Sequence, residues 1–506
     1  MSEPIEPIAR KRLSFGEKVG YSLGDMAANL VFQLLMSFQF VFFTSIMGLS
    51  SAAAGALFLI GRFFDAFTDP AMGIIADRTR TRWGRFRPWL IWSALPFAAI
   101  FWLTFTDPGW EPTMQMVYAY LMYFLLMAVY TVNNVPYAAL NGVMTADIDE
   151  RTTLSSYRFV AVTIAQLVVQ VFTWPLVAKL GQGDDARGWS LTIGIFAIVT
   201  VVLFVITFFT VRERVEPDPE QETSARQDLI DTFKNRPWVI LFCATLMIFI
   251  MLVVRGGSVA IFMDKIVDPV AMDAFLNRMG LVASTTGEMS GFQKFLDLFG
   301  LLINAERTNV PNVTFAFFNL MGIPTTLLGV VLSKPLSMAF SKRAVFVTCL
   351  ILTAISTASL FFIPRDNVGL MFIQALSWGL AYGPTIPLLW SMIGDAADYS
   401  EWKTGRRATG FVFAGVVFAL KFGLGVGGFV QGMILSGYGY DGDAPLTETA
   451  ALGVRLVTTI YPALFILAAA SILFFYPISR ALNKQIAEEL EERRKHFKTS
   501  DGEPAT

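Results

Sequence analysis

Gly61-Arg62-Phe63-Phe64-Asp65-Ala66-Phe67-Thr68-Asp69-Pro70 places two aspartates one helical turn apart, inside a stretch from 52 to 76 that is otherwise apolar enough to cross a bilayer. A carboxylate at membrane depth is costly unless a cation, a basic partner or a wet cavity meets it, so an acidic pair there points to a functional site. Side chains four apart share one helix face, so both carboxylates can serve the same site.

Composition agrees with a membrane setting. Hydrophobic residues make up 54% of 506 residues and charged ones 16%, with a mean hydropathy of +0.55. That is too apolar for a soluble enzyme and too long for a single anchor. Stretches of spanning length fall near 19–46, 52–76, 88–106, 114–144, 153–178 and 189–211, then 238–263, 313–333, 344–363, 368–394, 408–436 and 453–479. Twelve spans in two sets of six imply an all-α membrane protein. The reading divides it into an N-terminal bundle (1–211), a polar linker (212–237), a C-terminal bundle (238–480) carrying an external loop (264–312), and a charged tail (481–506).

Of the 39 Lys and Arg, 27 fall in segments that are cytoplasmic if the N-terminus is inside, 7 in external loops and 5 in spans, which places both termini in the cytoplasm. Met1 to Lys18 is charged and lacks a short apolar core with a cleavage site, so it is not read as a signal peptide. Cys243 and Cys349 lie in spans without C-x-x-C spacing and read as small apolar residues. The single histidine, His496, falls in the tail, so intramembrane proton chemistry would have to use carboxylates.

A faint repeat links the halves. Pro136 is followed by Met144 and Asp147 at the intervals at which Pro384 is followed by Met392 and Asp395. With twelve spans, a central linker and the basic turn Asp77-Arg78-Thr79-Arg80-Thr81-Arg82-Trp83-Gly84-Arg85-Phe86-Arg87-Pro88, the pattern indicates the major facilitator architecture. No nucleotide loop, metal cluster or nucleophile motif supports an enzyme, and no cofactor is expected beyond a coupling ion.

Four blocks carry a closer likeness: Lys18-Val19-Gly20-Tyr21-Ser22-Leu23-Gly24-Asp25; Asp65 to Gly73 with Arg82-Trp83-Gly84-Arg85-Phe86-Arg87-Pro88; Asn134-Val135-Pro136-Tyr137; and Asp395-Ala396-Ala397-Asp398-Tyr399-Ser400-Glu401-Trp402. In these the chain resembles the glycoside-pentoside-hexuronide:cation symporters over nearly its whole length, apart from the loop after span seven. The resemblance implies a Na⁺ or H⁺ site at Asp65 and Asp69, with hydroxyl ligands from Thr131 and Thr68. It implies that Lys421 faces the acidic pair, with Arg62 as the pair's partner in coupling. Where melibiose-transporting members carry sugar-binding acids, this chain has Asn29 and Asn134. Arg158 matches the sugar-side arginine, and Tyr130 and Trp390 are candidate stacking platforms, because Ala138 and Ile386 occupy the usual tryptophan positions. Asp395, Asp398 and Arg407 fall where the family places cytoplasmic gates. Asp25, Asp147, Asp149, Glu401 and Arg406 read equally well as solvated.

Two further features stay open in the sequence. Arg255 interrupts an apolar run and either reaches the cavity or snorkels outward. Phe292, Phe295, Leu296, Phe299, Leu302 and Ile303 recur at helical spacing, which suggests an amphipathic helix on the outer membrane surface or over the cavity mouth. The expected function is symport of a monovalent cation with a glycoside, pentoside or hexuronide in a bacterial inner membrane, by a monomer that binds no nucleic acid. The alternatives are a proton-coupled or uncoupled carrier or exporter of another small solute, and a sugar sensor that binds without moving its ligand.

Overall fold

A computed structural model describes residues 13–145, 148–214, 232–282, 289–404, 409–442 and 445–500. Among them every regular element is helical, apart from the single bridges Thr81–Gly84 and Val282–Ile303. The principal helices are α1 (Phe15–Ser37), α2 (Ser51–Arg78), α3 (Arg87–Thr104), α4 (Pro112–Met144), α5 (Ile148–Gly181), α6 (Asp185–Thr210), α7 (Arg236–Lys265), α8 (Pro269–Arg278) and α9 (Gly291–Leu298). They continue with α10 (Val310–Ala339), α11 (Lys342–Phe362), α12 (Val368–Tyr382), α13 (Thr385–Thr404), α14 (Thr409–Gly437), α15 (Glu448–Thr458), α16 (Ile460–Phe474) and α17 (Arg480–Ser500). Helices occupy all twelve apolar stretches. Among the described residues, nine are long and apolar enough to cross a membrane, and a tenth is α1 continued through Gln39–Ile46 across a 53° bend. The other two stretches have local causes: α3 opens on Arg87-Pro88, and the tenth stretch breaks between α12 and α13 at Gly383-Pro384.

Local chemistry sets the helix starts. Ser14 and Glu17 form a capping box for α1, Asn235 caps α7 ahead of Pro237, and Thr447 caps α15. The bend after α1 runs into a π-helical turn, Phe42–Ile46, a common way for a long helix to change direction.

The chain forms two compact units. The first comprises Met1–Pro219, Pro269–Leu320 and Tyr440–Leu446; the second comprises Glu220–Asp268, Met321–Gly439 and Thr447–Thr506. The first unit is built on buried aromatics. Phe105 stacks on Trp189 with centroids 5.9 Å apart, and Phe38 and Phe42 meet the same indole edge-on. The second brings α14 close to α7: a Cβ on Gly423 or Gly427 would sit 2.9 or 2.8 Å from the carbonyl of Leu246 or Ile250. Small residues at such crossings let helices pack closely where lipid supplies no hydrophobic drive.

Three sequence readings change. The segment after α7, read as a loop of the C-terminal bundle, belongs from Pro269 onward to the first unit. Its helix is shorter than the periodicity implied. α9 ends at Leu298, and Phe299 then packs on Phe172 of α5 with centroids 4.8 Å apart. Leu296, Leu302 and Ile303 are buried while Phe292 and Phe295 are exposed. Lys179 of α5 pairs with Asp297 at 3.0 Å, so the insert is anchored to protein as well as apolar on one side. Glu213, assigned to a solvated linker, accepts backbone N–H bonds from Arg85, Phe86 and Arg87 at 2.8 to 2.9 Å. The rest of the linker, 215–231, lies outside the described residues. The tail forms α17, held to α13 by the Trp402 indole donating to Glu489.

Gly300 fixes the insert's turn. Its φ is +70°, and an added Cβ would lie 2.4 Å from the Pro175 carbonyl oxygen, so both conformation and space exclude a side chain. Gly300→Ala should loosen the insert from α5, raising amide exchange across 291–303 while leaving 185–210 protected. Unchanged exchange across 291–303 would contradict the docking.

Candidate functional site

On α2, Ile60, Phe63, Phe67 and Ile74 are exposed, while Gly61, Asp65, Met72 and Ala76 are buried. The acids therefore sit opposite the lipid-exposed face, as intramembrane carboxylates must. Asp65 is 5% exposed and accepts from Arg62 Nη1 at 2.7 Å. Arg62 acts as an ion-pair partner one turn away. Asp69, half-buried, accepts from Thr131 Oγ1 of α4 at 2.9 Å. The structure thus brings three of the expected cation residues together. Thr68 differs: its hydroxyl donates to the Phe64 carbonyl at 3.1 Å, a local helix bond that occupies its proton.

Two of the expected sugar-side residues, Asn29 and Arg158, gather on Asp25, a residue the sequence left equally open to a solvated reading. Asp25, 6% exposed, accepts from Arg158 Nε at 2.8 Å through Oδ2. The Asn29 amide donates to the Asp25 backbone carbonyl at 2.9 Å and to its Oδ1 at 3.3 Å. The Arg158 guanidinium also lies over Tyr21 and Tyr137, 5.7 and 5.6 Å from their centroids. Those two rings stack 4.7 Å apart, and each hydroxyl donates to the other residue's backbone carbonyl. Asp25 is thus the anchor of an α1–α4–α5 cluster and not a solvated residue. One signal was present in the sequence: Asp25 and Asn29 are four apart on one face of span one.

Asn134 is half-buried on α4, three residues after Thr131 and three before Tyr137. The three share one side of the helix, with about 4.5 Å of rise at each step. One helix therefore carries the hydroxyl that meets Asp69 and the ring that meets Arg158, with an amide between them. Tyr130 faces Phe97 at 6.0 Å and is partly committed to packing.

The remaining site candidates lie in the second unit. Trp390 is half-buried against its core, and Lys421 is half-buried on α14. Asp395 is paired with Lys342 at 2.8 Å. Asp398 lines a surface pocket with Asp395, Arg480, Asn483 and Lys484. Arg407, with Arg406 and Asp147, lies outside the described residues, and so does the side chain of Asp149.

An all-helical fold whose spans bury ion pairs and amides is that of a polytopic membrane protein. The solved nucleoside transporter NupG shares the fold, aligning with a TM-score of 0.57 at 13% identity and covering 91% of this chain and 100% of that one. The family model described as MFS/sugar transport protein matches residues 20–300 and 303–480. The inner membrane symporter YicJ of Escherichia coli (strain K12) is 33% identical, covering 94% of this chain and 95% of that one. The isoprimeverose transporter of Lactiplantibacillus pentosus is 29% identical, covering 96% and 94%. The chain belongs to the MFS/sugar transport family, in its glycoside-pentoside-hexuronide:cation symporter branch.

Removing one member of a buried ion pair leaves the other charge uncompensated. Arg158 keeps some solvent contact, its side chain being 30% exposed, so Asp25→Ala should cost about 2 to 3 kcal/mol of stability. Asn29→Ala should cost about 1 kcal/mol. Chemical unfolding in detergent checks the order; equal losses would show that Asp25 is not the anchor.

Proposed function

We propose that the protein couples inward movement of a monovalent cation, Na⁺ or H⁺, to uptake of a glycoside, pentoside or hexuronide. It works by alternating access as a monomer in a bacterial inner membrane, with both termini cytoplasmic. The cation occupies the Asp65–Asp69–Thr131 side of α2 and α4, and the sugar lies against Asn29, Asn134 and the Asp25–Arg158 pair. The relatives' names support a sugar cargo and symport; the choice of sugar is this proposal's own.

The observation that carries the reading is the Thr131–Asp69 hydrogen bond on the helix that also bears Asn134. Carboxylate and hydroxyl oxygens are the hard ligands that a small cation takes. A cation drawn in there competes for the carboxylate that Thr131 engages. The response passes along α4 to the sugar amide within one turn, which gives the two ligands a physical means of sensing each other.

The energetics suffice. One Na⁺ moving down about 100 mV supplies about 2.3 kcal/mol, and a tenfold gradient adds about 1.4 kcal/mol. At one-to-one stoichiometry the sum supports roughly 500-fold accumulation.

Asp69→Asn keeps volume and hydrogen bonding but removes the charge. In wild type, sugar affinity should rise with added Na⁺ at fixed pH, or fall as pH rises through the carboxylates' titration if the proton is the coupling ion. Asp69→Asn should abolish either response, and Thr131→Val should weaken it. Sugar exchange at equal concentrations on both sides should survive both changes better than uphill accumulation. Full accumulation by Asp69→Asn would end the proposal.

A further inference from the structure

We propose that Arg255 and the indole N–H of Trp378 form a ligand subsite within the second unit, which takes an acidic group, a carboxylate, on the transported sugar. The inference rests on the sugar-symport reading above and narrows its substrate class.

Depth comes first. Arg255 lies ten residues before the end of α7 at Lys265, and Trp378 lies ten residues after the start of α12 at Val368. Those helix ends are tied together, since the Asp268 N–H donates to the Arg365 carbonyl at 3.0 Å. Both residues therefore stand about 15 Å along their helices from a shared end, within the thickness of the hydrocarbon layer. A guanidinium at that level is costly without a partner.

Partnering separates Arg255 from the other arginines in the spans. Arg62 has Asp65, Arg158 has Asp25, and Arg455, which also stacks on a ring, donates to the Phe361 carbonyl at 2.6 Å. Among the described residues, no carboxylate lies within ion-pair distance of Arg255. Its guanidinium rests over the Trp378 ring, 4.1 Å from the centroid, and its Nε is buried without a hydrogen-bond partner. The Nε1 of Trp378 is buried and unpartnered as well. Tyr382 stacks on the same indole, 4.9 Å away and 19° from parallel, which fixes the ring's orientation.

Two stacked side chains each carry a buried N–H that no described residue accepts from, and this defines what is missing. Guanidinium and indole nitrogens are donors only, and an orphaned buried donor is costly. Cation–π stacking alone offsets part of that cost. A carboxylate supplies two acceptor oxygens and a negative charge, and the guanidinium edge fits it in a bidentate manner. In the first unit Arg158 already answers the Asp25 charge, and Asn29 and Asn134 are neutral.

The test uses matched pairs of ligands on the purified full-length protein: methyl glucoside against methyl glucuronide, and methyl galactoside against methyl galacturonide, measured by calorimetry and thermal shift. Wild type should bind at least one uronide about 10-fold tighter than its neutral partner. Arg255→Gln should bring that ratio to about one. Arg255→Lys, with the charge but not the fork, should retain part of it. Trp378→Phe keeps the ring without the N–H and should lower the ratio about 3- to 5-fold. Arg255→Lys and Trp378→Phe keep the test decisive if Arg255→Gln fails to fold. A neutral preference in every pair, or variants that leave the ratio unchanged, would overturn the subsite while sugar binding stands. Binding of no sugar at all would overturn the symport reading along with it.

Discussion

A charge within a bilayer must be answered within the protein, and the first unit answers it twice. Arg62 meets Asp65, and Arg158 meets Asp25. Each pair closes a cluster: the first sits beside the hydroxyl-bonded Asp69, the second beside an amide and two stacked tyrosines. Neither cluster would be tolerated on the lipid face, so the pairs fix how α1, α2, α4 and α5 are rotated. That rotation sets Thr131, Asn134 and Tyr137 in a row on α4. Coupling between two ligands needs a shared element whose arrangement both can bias, and the proposed coupling assigns that part to α4.

Much of this was legible in the sequence because bilayer physics constrains local patterns strongly. The apolar runs led to the fold, and the D-x-x-x-D motif beside Trp83-Gly84-Arg85 led to the family, whose resemblance implied a hydroxyl from Thr131 near the acidic pair. What escaped depends on partners distant in sequence. Asp25 has no local sign of its arginine, which lies 133 residues away. Glu213 looked solvated because its three donors are main-chain N–H groups, and composition does not reveal these. The periodicity after α7 spoke of a buried face without saying what buries it. It turned out to be α5, reached through Gly300, Phe299 and Asp297.

The two units handle buried polarity differently. In the first, acids and bases are matched and the clusters are closed. In the second, Asp395 and Lys342 are matched near a helix end, whereas Arg255 stacks on an indole.

The central claim is that a cation gradient drives sugar uphill through the Asp65–Asp69–Thr131 site. The most direct measurement is sugar uptake into proteoliposomes under an imposed inward Na⁺ or H⁺ gradient. Internal sugar should rise above the external concentration and then relax as the ion gradient collapses. Uptake that approaches equality at the same rate with and without either gradient would contradict the account.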